Sequence, residues 1–264
     1  MADRGRRALA VILLGAALLA TEAGGAERVD VRANVSFQRR DAEFSRVRLT
    51  IKRDGTTWRS GFLGKSYFIA PKVRVRDLDA DGEPEVWVDR YTGGAHCCLE
   101  SRFFRWLPRR RAYARTFHGW ADVGYRLRNV DRQGAVELVS ADARFAYVFT
   151  SFADSAFPIR IWEFDRGRLR DVTRRFPARV EADAQAHWRD YLRRRRSGDV
   201  RGVLAAWLAD QYLLGREDAG WEALTTALRR GDLEGPNGIW PTGRRYLREL
   251  RAFLVKTGYA PRAR

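Results

Sequence analysis

The stretch that most constrains this chain runs from Asp77 to Cys98. Asp77, Asp79 and Asp81 alternate, Gly82 follows, and Glu85 comes three residues later. Carboxylates at alternate positions converge only if the backbone curls round a common point, where a hard cation taking six to eight oxygen ligands would hold them. Gly82 permits the sharp turn after the third aspartate. Without a cation the clustered acids repel one another. An EF-hand loop starts the same way but needs a bidentate Glu at position twelve and helices on both sides. Position twelve here is Val88, and Val86-Trp87-Val88 reads as a strand. The pattern predicts a calcium loop that closes on Glu85 and feeds a β-strand. The bland alternative is a solvated acidic turn between strands.

Asp-x-Asp-x-Asp-Gly-x-x-Glu followed by an apolar strand resembles the FG-GAP/VCBS type of repeat, found in integrin-like β-propellers and secreted bacterial proteins. The resemblance implies blade-like sets of antiparallel strands and one Ca2+ held by Asp77, Asp79, Asp81 and Glu85, with Glu83 offering its backbone carbonyl. A fainter copy lies 52 residues on, where Asn129, Asp131, Gln133, Gly134 and Glu137 match Asp77, Asp79, Asp81, Gly82 and Glu85. Two ligand positions there are amides, so this degenerate loop is expected to be metal-free. The strands after each loop also correspond, Phe103–Trp106 with Ile159–Phe164. A period near 50 suggests propeller blades or a related array, although two repeats cannot close a ring.

Residues 1–26 read as a signal peptide. Arg4, Arg6 and Arg7 precede a short apolar run, Ala8 to Ala20, too short to span a bilayer. No later stretch is long and apolar enough to cross a membrane, so the expected location is secreted or periplasmic. The composition, 45% hydrophobic and 12% aromatic, supports a substantial core and excludes a disordered chain. The net charge is +17, almost all of the positive charge being arginine. Such a surface attracts polyanions. In an exported protein the expected partner is an anionic cell-envelope polymer or another exported protein, with no specific nucleic acid.

Residues 27–176 read as a mainly β, antiparallel domain carrying the acidic loops at 77–85 and 129–137. Val29–Phe37 and Val47–Lys52 alternate, and Asp54-Gly55 marks a hairpin. Asp142–Phe149 reads as core and turn of the second repeat. Residues 177–264 switch to helical spacing, with Trp188 and Tyr191, then Val203, Leu204, Trp207 and Leu208, a third segment at 218–228, and a last stripe of Tyr246, Leu250 and Leu254. The fold class is therefore α+β, blade-like β repeats followed by a small all-α region.

Cys97 and Cys98 are the only cysteines. Adjacent Cα atoms lie about 3.8 Å apart across a trans peptide, inside the disulfide range but strained. In an oxidising compartment the options are a vicinal disulfide, an intermolecular bridge, buried thiols, or a zinc or copper site with His96. Three functions compete. One is an exported, calcium-stabilised, non-catalytic binding or structural protein. Another is an exported hydrolase on an acidic polymer, using acids of 77–98 near His118 or His187. The last is a metal-handling protein built on His96, Cys97 and Cys98. The first is preferred, because the carboxylates match a cation loop as a set and no nucleophile–base pair is visible.

Overall fold

Three antiparallel sheets precede four helices in the computed structural model, which describes residues 29–94, 97–235 and 239–262. The expected signal peptide, His96 and most of the 235–238 loop lie outside the described residues. In the first sheet, β1 (Val31–Arg40), β2 (Glu43–Arg53) and β3 (Thr56–Phe62) pair in order, and β4 (Ser66–Tyr67) also pairs with β2. Asp54 and Gly55, at φ 45° and 78°, make the two-residue turn between β2 and β3. Both central residues in the left-handed region match the twist of a tight hairpin.

The second sheet is a meander of β5 (Lys72–Arg76), β6 (Glu85–Tyr91), β7 (Leu99–Leu107) and β8 (Ala112–Ala121). The third is a shorter meander of β9 (Arg126–Arg128), β10 (Glu137–Ala141), β11 (Ile159–Asp165) and β12 (Arg168–Asp171). In each, the acidic or amide-bearing loop joins the first two strands. Side chains on successive strand residues point to opposite faces, and this period places the second sheet in the middle. Val86, Val88 and Phe104 share a core with Val47, Leu49 and Ile51 of β2. Trp87 and Phe103 share another with Leu138 and Phe164 of the third sheet. Strand β6 is consequently buried on both faces. Burying a side chain of this size contributes roughly 1.5–3 kcal/mol, so Trp87, fully buried, anchors the strand that the acidic loop feeds.

The three sheets stay open, and the expected propeller blades do not form a closed ring. The helices form a separate core and meet the third sheet at β11, where the Ile159 amide donates to Asp183 of the first helix. α1 (Pro177–Arg194), α2 (Arg201–Leu214), α3 (Glu217–Arg229) and α4 (Gly243–Thr257) follow the expected helical spacing. From Arg201 to Gln211 every residue of α2 is buried, because the other helices and the 143–157 segment surround it. A helix apolar nearly all round is a core helix. Gly202 is required there: a Cβ would lie 2.5 Å from the Asp154 carbonyl oxygen. Gly258, at φ 83°, ends α4.

One expectation is corrected. Phe145 and Phe149 do not fill the second repeat; they sit edge-on against Phe253, with Tyr259 and Tyr246 beside them, in the helical core. The segment between β10 and β11 leaves the sheet and inserts among the helices. Aromatic content alone marks a residue as core without saying which core it joins.

Candidate metal centre

The acidic loop joins β5 to β6. Asp77 Oδ2 accepts the Gly82 amide at 2.9 Å, and Asp81 Oδ1 accepts the Glu83 amide at 2.9 Å. Glu85 Oε2 reaches back to the Leu78 amide at 3.0 Å, and Asp79 Oδ2 accepts the Arg166 amide, from the β11–β12 turn, at 3.1 Å. Gly82, at φ 86°, makes the bend. Asp77, Asp79 and Glu85 thus each spend one oxygen on the backbone. Their other oxygens, Asp77 Oδ1, Asp79 Oδ1 and Glu85 Oε1, are buried with no hydrogen-bond donor. Each of these three residues offers an oxygen within 4.8 Å of the others.

Such a set is costly by itself, since a buried acceptor without a donor loses about 1–3 kcal/mol, and more when charged. Burial, followed by the charges of Asp79, Asp81 and Asp77, pushes the Glu85 carboxyl up to about 8. Burial likewise raises Asp79. Arg105, on β7, supplies the nearby positive charge. Its Nη2 lies 2.6 Å from Asp81 Oδ2, while its Nε is 3.8 Å from both Asp79 Oδ2 and Glu85 Oε1. Even with Glu85 neutral, one guanidinium against Asp77, Asp79 and Asp81 leaves an excess of negative charge. A divalent ion held by the three orphan oxygens would remove it, and oxygen-only donors suit calcium.

The expected ligands are therefore divided. Asp77, Asp79 and Glu85 converge. Asp81 is exposed and turned to Arg105; the Glu83 side chain pairs with Arg53, which does not bear on the backbone carbonyl expected of it. Arg105 was not anticipated; its signal was a charge amid the aromatic run Phe103–Trp106. Asp89 was also missed. It is buried on β6, accepts the Tyr125 hydroxyl at 2.9 Å, and helps fix the strand beyond the loop.

The second loop has a related frame. Val130 N–H donates to Glu137 Oε2 at 2.7 Å, as Leu78 does to Glu85. Gln133 N–H donates to Asp131 Oδ1 at 2.8 Å. Here Asn129 Nδ2 donates to the Gln133 carbonyl, so an amide closes the turn from within. The loops touch, Val136 N–H donating to the Leu78 carbonyl at 3.4 Å.

Cys97 and Cys98, just before β7, have their sulfurs in bonding contact, and the peptide between them is cis. His118 does not meet the loop acids. Its ring packs 4.1 Å from Trp120 and 4.7 Å from Trp162, and burial lowers its pKa to about 4. His187 lies on α1 beside Asp210. Among the described residues, neither His118 nor His187 stands beside the loop acids as the hydrolase reading expected.

Comparison with known proteins bears on the helical part most directly. A family model described as the sll0997 C-terminal domain matches residues 180–258. The chain is 29% identical, over 260 residues, to "Probable thylakoid lumen protein sll0997" of Synechocystis sp., with 89% of this chain and 75% of that protein covered. It is 30% identical over 171 residues to "Uncharacterized protein y4bJ" of Sinorhizobium fredii, covering 57% of this chain but 24% of that one. No solved structure matches. These findings overturn the FG-GAP/VCBS resemblance: the matching family model lies in the helices, and neither relative is described as such a repeat protein. A short Asp/Gly turn before an apolar strand is too small a signature to carry a family, because unrelated β-turns use the same residues.

Proposed function

We propose that this chain is a cation-locked binding scaffold of an exported compartment, with no catalytic step of its own. Two observations at one place carry the reading: Asp77, Asp79 and Glu85 each offer a carboxylate oxygen within 4.8 Å of the others, and each of the three also buries an oxygen that has no donor. Calcium at that focus ties β5, β6 and, through the Arg166 amide, the β11–β12 turn into one unit. The apolar run of residues 8–20 and the similarity to a protein described as a probable thylakoid lumen protein support export. Among the described residues no helix is long and apolar enough to cross a membrane. A vicinal Cys97–Cys98 disulfide belongs to the same reading, since paired sulfurs suit an oxidising compartment.

The partner is an anionic envelope polymer. The net charge of +17 supports this. Salt-sensitive retention on a sulfated polysaccharide, with none on its neutral counterpart, is the expected behaviour.

The decisive experiment is thermal unfolding of the exported protein in chelator and in calcium. Calcium raises the melting temperature, and Asp79→Ala removes the rise. Superimposable curves for the native protein in the two conditions would overturn the reading.

A further inference from the structure

A different cluster sits between the first two helices. Asp183 and His187 stand one turn apart on α1, and Asp210 faces them from α2. His187 Nδ1 is 2.9 Å from Asp210 Oδ2 and 3.8 Å from Asp183 Oδ2. We propose that Asp183, His187 and Asp210 form a metal centre for a borderline divalent ion such as zinc, independent of the acidic loop.

Three observations support it. Each residue offers one ligand atom, and these atoms lie within 4.8 Å of one another. Around an ion with bonds of about 2.0–2.2 Å, neighbouring ligands fall roughly 3–3.5 Å apart, so only a small closure is needed. Next, Asp210 is fully buried and its Oδ1 has no hydrogen-bond donor. His187 Nδ1 carries at most one proton, which serves Oδ2 and leaves Oδ1 unserved. Finally, the charges do not balance. The charged side chains grouped here are Asp183 and His187 from α1 and Asp210 from α2; Asp190, which also faces His187, is already paired with Arg193 and Arg194. The chain is rich in arginine, yet no arginine contacts Asp183 or Asp210 among the hydrogen bonds and ion pairs of the described residues.

The surroundings also hold the donors in place. The Ile159 amide, at the start of β11, donates to Asp183 Oδ2 at 2.8 Å. Hydrogen bonds of this kind orient a ligating carboxylate. One imidazole with two carboxylates suits zinc or a similar transition ion better than calcium, which takes oxygen. Three protein ligands leave a fourth position for water or for a partner's donor. The ion would clamp α1 to α2 next to the strand that carries the inserted segment.

The test uses the full exported chain, stripped with chelator and then saturated with calcium so that the loop is filled. Calorimetric titration with zinc is expected to show one equivalent with a Kd on the order of 10 µM or tighter. Cobalt substitution is expected to give visible absorption bands characteristic of a nitrogen-containing site. His187→Gln should weaken zinc about 100-fold and abolish the cobalt bands, whereas Asp79→Ala should change neither. Asp183→Asn, at a partly exposed position, gives a second reading if His187→Gln fails to fold. Zinc binding no tighter than about 1 mM, or unchanged in the folded variants, overturns the proposal; loss of calcium stabilisation alone does not touch it.

Discussion

The loops at 77–85 and 129–137 occupy the same place in two successive meanders but close by different means. Both send the final glutamate back to the second residue's amide, Glu85 to Leu78 and Glu137 to Val130. The first then leaves three carboxylate oxygens buried without donors. The second uses Asn129 Nδ2 to bind the Gln133 carbonyl. An amide carries its own donor and a carboxylate does not. The loop shape is therefore achievable without an ion, and the extra acids of the first loop mark where charge from outside is needed.

Calcium should separate the loops most sharply. At a concentration about 100 times its Kd, an ion bound only by the folded state adds about 2.7 kcal/mol. For a chain of this length that is a rise of roughly 5–10 °C in melting temperature. Asp79→Ala should lose it and Asp131→Ala should keep it, as read by calorimetry.

Removing the built-in cation is next. In chelator, Arg105→Met should lower stability by about 2 kcal/mol, because Asp81, Asp79 and Glu85 lose their nearby guanidinium. In calcium titrations the same variant should bind more tightly, because a positive neighbour is gone. A change in the same direction in both measurements would show that Arg105 merely packs.

Outside both loops, His118 provides a pH signal against which they can be judged. Its folded pKa of about 4 lies below the ordinary 6.5. Between those values the unfolded chain binds the extra proton, so stability falls as pH drops from 6.5 through 4. Discounted for partial solvent contact, the loss is about 2 kcal/mol at most. His118→Phe, which keeps a ring between Trp120 and Trp162, should flatten that part of the urea-unfolding profile.

The smallest effect is conversion of the second loop. Asn129→Asp with Gln133→Asp restores the carboxylates matching Asp77 and Asp81. Calcium stoichiometry should rise from one to two, while stability changes by less than about 1 kcal/mol, because the new acids are exposed. Stoichiometry that stays at one would mean that burial, rather than charge count, makes the first loop a site.

Much of the outline was legible in the residues. Alternation located the first two strands, the apolar Val86-Trp87-Val88 located the strand after the acidic loop, the Asp54-Gly55 turn located a hairpin, and apolar spacing located the helices. The acidic loop was legible as a cation candidate because its ligands are close in sequence. Arg105 and the Arg166 amide were not, since strand pairing brings them to the loop from far along the chain. Asp183, His187 and Asp210 escaped for the same reason: the i,i+4 pair is common on helices, and its partner comes from another one.

By itself the sequence determined local geometry: the curl of the acidic loop, the strand after it, the helix stripes and the overall positive charge. These follow from neighbours within a few residues, where turn preference, periodicity and charge act directly. Only the tertiary structure decided that Trp87 faces one core while Val86 and Val88 face another, that Phe145 and Phe149 belong to the helices, and that Asp81 turns to Arg105 rather than to the shared focus. Those outcomes depend on which distant surfaces meet. Burial then sets the cost of an unpaired oxygen, and no spacing rule along the chain contains that term.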